Sequence, residues 1–233
     1  MPVSVVIPTL NEEARVGATI DAAFAAGAAE VIVADGGSRD ATIDVAQAHG
    51  ARVLRVVRAS GALSAEGAPE ARTTPRARQL NLGAREAKHD AIIFLHADTL
   101  LPEGACDAVE LALVMGVIFG GFRIAFLEDG LRTVAALINA RTKFTREPWG
   151  DQAQFVSRCA FPGYREIPIM EDYELARRMK RAGRTAMLPL TVRTSGRRFR
   201  ELGPFRTAAL NWWIIVCYHA GVSPERLARW YRG

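Results

Sequence analysis

The sequence has few of the features that mark secreted, zinc-binding or membrane-spanning proteins. Its three cysteines, Cys106, Cys159 and Cys217, are far apart and show neither a zinc-ligand spacing nor an even-numbered disulfide framework. Cysteine usage of this kind favours a reducing compartment. No apolar run approaches the roughly 20 residues that span a bilayer, and the strand-like residues 3–7 leave no room for a signal peptide. We therefore expect a cytoplasmic chain, free or peripheral to a membrane.

Two common nucleotide-binding motifs are also missing. Residues 36–37 are Gly-Gly, but the G-x-G-x-x-G spacing does not follow the first predicted strand, and there is no Walker loop. A nicotinamide enzyme and a P-loop hydrolase are therefore disfavoured. The net charge of +5 favours anionic partners such as nucleotides or phosphorylated compounds. The arginines are spread over several segments, so the sequence does not indicate a nucleic-acid-binding arm.

The apolar runs of the chain predict an α/β fold. Strand-like runs at residues 3–7, 30–35 and 51–57 alternate with helical patterns, which is the β-α-β order of a doubly wound, mostly parallel sheet. Pro8 is expected to end the first strand and Asn11 to cap the first helix. Further elements are predicted in order along the chain, at residues 76–88 (helix), 91–95 (strand), 103–114 (helix), 116–126 (strand), 131–144 (helix), 152–156 (strand), 171–182 (helix), 184–193 (extended) and 205–220 (helix). Residues 58–75 lack a periodic pattern and predict a loop that is either functional or disordered.

Polar residues follow the buried strands where a parallel sheet presents its ligand sites. Asp35 ends one strand, and His96 and Asp98 leave another on the same side. An imidazole and a carboxylate held side by side can bind a divalent cation, which can in turn hold a diphosphate. Arginine suits bidentate phosphate contacts, and for Arg78 and the Arg197-Arg198 pair we favour such contacts over a solvated basic surface.

Eight short motifs, in order and spread over nearly the whole chain, resemble those of the family 2 glycosyltransferases of the GT-A fold. They are Ser4-Val5-Val6-Ile7-Pro8-Thr9-Leu10-Asn11-Glu12-Glu13, Ala34-Asp35-Gly36-Gly37-Ser38, Phe94-Leu95-His96-Ala97-Asp98-Thr99, Gly120-Gly121-Phe122-Arg123, Gly150-Asp151-Gln152, Ile169-Met170-Glu171-Asp172, Thr194-Ser195-Gly196-Arg197-Arg198 and Gly221-Val222-Ser223-Pro224. Within that family they resemble the small bacterial transferases labelled as arsenosugar-biosynthesis or radical-SAM/selenodomain-associated. The resemblance implies one Rossmann-like GT-A domain over residues 1–233. Its nucleotide-binding half would be 1–100, its acceptor and catalytic half 101–200, and its helical C-terminal extension 201–233.

The resemblance also implies a role for individual residues in an inverting, metal-dependent transfer of a hexose from a nucleotide sugar, with a UDP sugar as the family's usual donor. The nucleoside would be bound by Pro8, Thr9, Asn11, Glu12 and Asp35. Asp98 would hold the metal, and His96 stands where most family members have the first Asp of the Asp-x-Asp motif. Imidazole suits Mn²⁺ better than Mg²⁺. Asp172 would be the general base with Glu171 beside it, and Asp151 would lie near a small-molecule or lipid-linked acceptor.

Two other functions remain open at this point. A nucleotidyltransferase shares the α/β class but should carry an early Gly-rich, basic loop, where this chain has Pro8-Thr9-Leu10-Asn11. A catalytically inactive GT-A module that binds sugar or nucleotide would keep the fold, although the presence of both Asp98 and Asp172 argues against it. Residues 205–220 are too short to cross a bilayer. We expect them to form a core helix, with a homodimer contact or a membrane-surface contact as alternatives.

Overall fold

An eight-stranded sheet organises the residues that the computed structural model describes, 1–56 and 75–232. Its strands lie in the order β3-β2-β1-β4-β7-β6-β8-β5. The strands β1 to β4 are parallel, β7 is antiparallel to both β4 and β6, β8 is parallel to β6, and β5 is antiparallel to β8. The strand bounds are Val3–Thr9 (β1), Glu30–Asp35 (β2), Arg52–Arg55 (β3), Ala91–Phe94 (β4), Thr99–Leu100 (β5), Phe119–Phe126 (β6), Gln154–Ser157 (β7) and Thr185–Thr194 (β8).

Helices cover both faces of this sheet, as the predicted doubly wound fold requires. Because side chains alternate along a strand, Val5 and Ile7 of β1 pack into one core cluster with Ile20, whereas Val6 packs into the opposite cluster with Leu80. The helices are Val16–Ala25 (α1), Thr42–Ala48 (α2), Arg76–Glu86 (α3), Ala105–Val114 (α4), Arg132–Thr145 (α5), Glu171–Ala182 (α6), Arg197–Leu202 (α7), Pro204–His219 (α8) and Pro224–Arg232 (α9). The α/β prediction is confirmed.

Two local predictions about the first turn are wrong. Strand β1 continues through Pro8, which pairs with Ala34 of β2. The pairing with β4 has already ended at Val6, so Pro8 has a neighbouring strand on one side only. Asn11 does not cap α1, which begins at Val16. It has a φ of 56°, a conformation that Asn tolerates better than most residues.

The C-terminal helix α8 also differs from its prediction. Its inner face buries Ile214 and Cys217, but Trp212 and Trp213 are 67% and 58% exposed, so the core interpretation is wrong for these two tryptophans. No helix among the described residues is both long and apolar enough to cross a membrane. The predicted loop at residues 58–75 lies outside the described residues except for Pro75.

Candidate active site

A cavity of about 350 Å³ opens at the edge of the sheet where β4, β6 and β8 end. It lies where an α/β sheet is expected to hold its ligand. Its polar wall is formed by Arg76, His96, Asp98, Asp151, Asp172, Thr194 and Ser195. Its apolar wall comes from α5, the segment before α6, and the three C-terminal helices, and includes Ile138, Trp149, Ile169, Met170, Phe199, Ile214, Ile215 and Tyr231. The cavity lining therefore combines charged and apolar side chains.

The first helical turn of α6 fixes the carboxylate of Asp172. Its Oδ2 accepts a hydrogen bond from the backbone N–H of Gly150 at 2.7 Å, and its Oδ1 accepts one from the N–H of Tyr173 at 2.7 Å. The buried amide of Gln154 donates to the carbonyl oxygen of Asp172 at 3.0 Å, which ties this turn to strand β7. The carboxylate is therefore held in one orientation at the cavity, with one hydrogen bond to each oxygen from the described part of the chain.

Asp151 differs from Asp172 in its hydrogen bonding. Its Oδ1 is buried without a hydrogen-bond partner among the described residues. Burial, together with the charges of Asp172 and Asp98, raises the pKa of Asp151 to about 6, against the opposing charge of Arg141. The preceding residue, Gly150, packs closely against His96, since a Cβ at position 150 would lie 2.5 Å from His96 Nε2. Asp151 thus titrates close to neutral pH.

Arg76 connects Glu171 to His96 across the mouth of the cavity. Its Nε donates to Oε1 of the buried Glu171 at 2.5 Å, and its Nη1 lies 3.1 Å from Nε2 of His96. Burial and the neighbouring guanidinium lower the pKa of His96 to about 3, so the imidazole is neutral. Because Arg76 has only N–H donors, Nε2 of His96 is the acceptor of this contact and its ring proton lies on Nδ1.

Asp98 belongs to a second charged group at the same edge. Burial raises the pKa of Asp98, whereas the charges of Arg15 and Arg197 lower it. The pKa of Glu12 is also raised, first by burial and then by the charge of Asp98, although Glu12 forms an ion pair with Arg15 at 3.5 Å. The structure thereby brings together Glu12, Asp98 and Arg197, which the sequence predicted separately.

The predicted nucleoside residues form a hydrogen-bonded turn beside this group. Asp35 is buried, and its Oδ1 accepts the N–H groups of Gly37 and Ser38 at 2.9 and 3.0 Å. Thr9, at the end of β1, donates its hydroxyl to Oδ2 of Asp35 at 3.2 Å. The Asn11 side chain accepts the N–H of Arg39 at 2.9 Å, which joins the loops that follow β1 and β2.

The predicted arginines fall in different places. Arg78 donates to Glu166 at 2.6 Å on the protein surface and does not line the cavity. Arg198 lines the cavity, where it donates to the carbonyl of Tyr231 at 2.6 Å and stacks over that ring at 3.5 Å. The sequence interpretation missed Arg76. A usable signal was its position four residues before the buried Leu80, on the inner face of α3.

This arrangement supplies the groups that a nucleophilic displacement with a phosphate leaving group requires. Fixed and titratable carboxylates can accept a proton from a hydroxyl group or bind a cation, and guanidinium groups can stabilise a developing phosphate charge. The apolar wall can bind the body of a second substrate.

Comparison with known proteins found a family model that matches the chain and solved structures with a similar fold. A family model described as glycosyltransferase like family 2 matches residues 1–147. The solved structure of glucosyl-3-phosphoglycerate synthase from Mycobacterium tuberculosis, in complex with Mn²⁺, UDP and glucosyl-3-phosphoglycerate, is 22% identical with a TM-score of 0.54, covering 87% of this chain and 75% of that one. S. aureus TarS 1-349 is 15% identical with a TM-score of 0.63, covering 84% of this chain and 60% of that one. No curated protein sequence matches the chain.

Proposed function

The chain belongs to glycosyltransferase-like family 2, and on that basis we propose that it moves a hexose from a nucleoside-diphosphate sugar to an acceptor hydroxyl, with inversion at the anomeric carbon. The fold is the mixed α/β architecture of GT-A glycosyltransferases. The observation that carries the proposal is the meeting of Asp98, Asp151 and Asp172 with Arg76 at one cavity on the ligand-binding edge of the sheet.

An inverting displacement needs one base on the acceptor side, and we assign that role to Asp172. Its carboxylate is oriented by the backbone N–H groups of Gly150 and Tyr173, so it can accept the proton of an acceptor hydroxyl without reorganising. Glu171 contributes indirectly, because its contact is with Arg76 and not with the cavity space. Asp151 lies beside Asp172 and, when protonated, can donate a hydrogen bond to the acceptor.

A divalent cation, Mn²⁺ or Mg²⁺, is the second part of the proposal. Solved structures of the related synthase contain these ions together with UDP. The chemistry of this chain's residues fits such a cation, because the cavity is lined by carboxylates, the oxygen ligands that both ions prefer, and Oδ1 of Asp151 is buried without a partner among the described residues. No group of three His, Cys, Asp or Glu side chains forms a complete cation cage in the described part of the chain. Asp98 would therefore supply one ligand, and the diphosphate and water the others.

The cation, when bound, would supply Lewis-acid stabilisation of the leaving diphosphate. His96 is the second metal ligand that the sequence predicts. While its Nε2 accepts the Arg76 N–H, this neutral ring has no lone pair free for a cation. Ligation by His96 therefore requires Arg76 to turn towards the donor phosphates. We propose that Arg76, together with Arg197, contacts the diphosphate.

We propose that the nucleoside of the donor binds to the turn formed by Pro8, Thr9, Asn11, Glu12 and Asp35. UDP is the nucleotide we propose, since the synthase that shares the fold is described with UDP and UDP-glucose. Membership of the arsenosugar-biosynthesis or selenodomain-associated group rests on motif resemblance alone. The proposed partners are a UDP sugar, a small-molecule or lipid-linked acceptor, and a surface that covers residues 205–220, either a membrane or a second copy of the chain.

A thermal-shift panel tests this function. UDP, GDP and their glucose conjugates are compared with and without Mn²⁺, since a ligand stabilises in proportion to the logarithm of its concentration over its dissociation constant. UDP with Mn²⁺ should give the largest shift, and slow hydrolysis of the donor should follow. Binding without hydrolysis or transfer would favour an inactive binding module, and no shift with any nucleotide would contradict the proposal.

A further inference from the structure

Helix α8 is apolar on two opposite faces. Its inner face buries Ile214 and Cys217 in a small core cluster with Leu227 of α9 and with Ile169 and Met170, which precede α6. At about 3.6 residues per turn, the outer face gathers exposed apolar residues within an arc of about 100°. These are Phe205, Ala209, Trp212, Trp213 and Val216. Phe205 is 89% exposed, and a helix that is apolar all round is normally covered on every side.

The surroundings of this outer face are strongly basic. Residues 197–232 contain seven arginines and two acidic residues, a net charge of +5 that equals the net charge of the whole chain. Five of these arginines are exposed; Arg197 is the one proposed above to contact the diphosphate, and the other four are Arg200, Arg206, Arg226 and Arg229. The surface made by α7, α8 and α9 is therefore aromatic and cationic at once.

We propose that this surface, which we call the α8 face, docks the protein on an anionic lipid bilayer. Tryptophan side chains favour the interface between lipid and water, and arginines close to an anionic bilayer are attracted by its negative surface potential. A bilayer supplies both the apolar cover and the negative charge that the α8 face lacks.

A second copy of the chain fits this surface less well. A twofold dimer would place the same patch on both subunits. The exposed arginines would then face each other, because Arg206 lies on α8 itself and Arg226 and Arg229 lie on the neighbouring α9. Like charges that meet across an interface are destabilising, whereas an anionic membrane is complementary.

The α8 face and the cavity share one helix. Asn211, Ile214 and Ile215 line the cavity, while Trp212, Trp213 and Val216 point away from it. An acceptor that resides in the bilayer would reach the apolar wall of the cavity along this helix. This consequence rests on the proposed function and selects the lipid-linked acceptor over the small soluble one. The docking itself does not depend on catalysis.

Vesicle flotation tests the docking. The full chain is mixed with vesicles of phosphatidylcholine alone, or of phosphatidylcholine with phosphatidylglycerol, and tryptophan emission is recorded in parallel. We expect flotation and a blue-shifted emission only with the anionic vesicles. The Trp212→Ser, Trp213→Ser double variant should bind at least tenfold more weakly. A matched control, Leu111→Ser, changes an apolar residue of α4 that is 61% exposed and should bind as wild type.

Arginine variants measure the electrostatic contribution to vesicle binding. Arg206→Ala with Arg229→Ala should weaken anionic-vesicle binding by about twenty-five-fold, roughly fivefold for each arginine, whereas Arg181→Ala on exposed α6 surface should leave binding within twofold. Equal binding to both vesicles, or binding to neither, would overturn the proposal. The proposal would also be overturned if wild type sediments as a dimer and the Trp212→Ser, Trp213→Ser variant sediments as a monomer. Because UDP binding is measured without vesicles, failure of the docking and failure of the proposed function are distinguishable.

Discussion

The Nε atom of Arg76 lies 2.5 Å from Oε1 of Glu171, and the two side chains are unequally exposed, at 40% and 5%. The carboxylate of Glu171 is therefore largely removed from water and is paired with Arg76 among the described residues. The pair sets the position of Arg76, whose other end reaches His96. Glu171 is thus a positioning residue for the proposed phosphate contact.

Replacement of Glu171 by Gln should lower the free energy of unfolding by about 1–2 kcal/mol. This is less than the 3–5 kcal/mol typical of a fully buried ion pair, because the guanidinium is partly solvated. Arg76 would be less well oriented, so we expect KM for the donor to rise several-fold with a smaller fall in kcat. Urea unfolding and steady-state kinetics measure both effects. The exposed Glu201→Gln is the control, and unchanged stability and KM for Glu171→Gln would show that the pair has no such role.

Substitution of Asp172 by Asn tests the proposed base. Asn keeps the shape of the side chain but removes the basic oxygen, so kcat should fall roughly a hundredfold or more, the scale of general base catalysis. Donor affinity should be nearly unchanged, since Asp35, Asp98 and the arginines are the residues proposed to hold the nucleotide. Near-wild-type turnover of this variant, combined with an inactive Asp151→Asn variant, would transfer the base role to Asp151.

Asp151 gives the site a pH-dependent stability. Its pKa is raised to about 6 by burial and by neighbouring carboxylates, above the unfolded value of about 3.9. The folded state therefore binds more protons than the unfolded state between these values, and stability falls as pH rises from about 4 to 6. Asp151→Asn should remove this loss of stability. The free energy of unfolding of the variant should therefore exceed that of wild type by about 1–3 kcal/mol at pH 7.5 and should nearly equal it at pH 4. Denaturant unfolding at both pH values measures the difference, with the exposed Asp129→Asn as control. A variant with the same pH dependence as wild type would contradict the assignment.

Gly150 is predicted to tolerate no side chain. A Cβ there would lie 2.5 Å from His96 Nε2 and 3.1 Å from Asp172 Oδ2. Gly150→Ala should displace the loop that orients Asp172, and kcat should fall about tenfold or more, since small misplacements of catalytic groups are costly. Kinetics of the purified variant, with circular dichroism to confirm that it is folded, check this expectation. An unaltered kcat would contradict this expectation, because it would mean that the loop at Gly150 accommodates the methyl group without displacing Asp172.

The sequence predicted the sheet well, because strands buried on both faces leave continuous apolar runs such as residues 30–35 and 91–94. It failed at Pro8, where a proline continues a strand, since the sequence does not show that pairing with β4 has already ended at Val6. The order of the strands, with antiparallel β7 between β4 and β6, depends on long-range pairing that local patterns do not encode.

The candidate site was predictable in its acidic residues and less so in its basic ones. The position of Asp98 follows from topology, because it comes just after a buried strand, whereas Asp151 and Asp172 were identified through the motif resemblance. Arg76 and Arg78 are two residues apart on α3 and point in different directions, and only the fold shows that Arg76 faces the cavity. Trp212 and Trp213 have the composition of a core segment, and only the packing of α8 shows that they are exposed.

Calorimetric titration of UDP with and without Mn²⁺, on wild type and Asp98→Asn, tests the central claim most directly. Asp98 is the carboxylate proposed to hold the cation, and the diphosphate would complete its coordination. We predict that Mn²⁺ tightens UDP binding at least tenfold in wild type, that Asp98→Asn abolishes this gain, and that the exposed Asp129→Asn retains it. Equal affinity of wild type for UDP in Mn²⁺ and in a chelator would contradict a metal-dependent nucleotide site at Asp98.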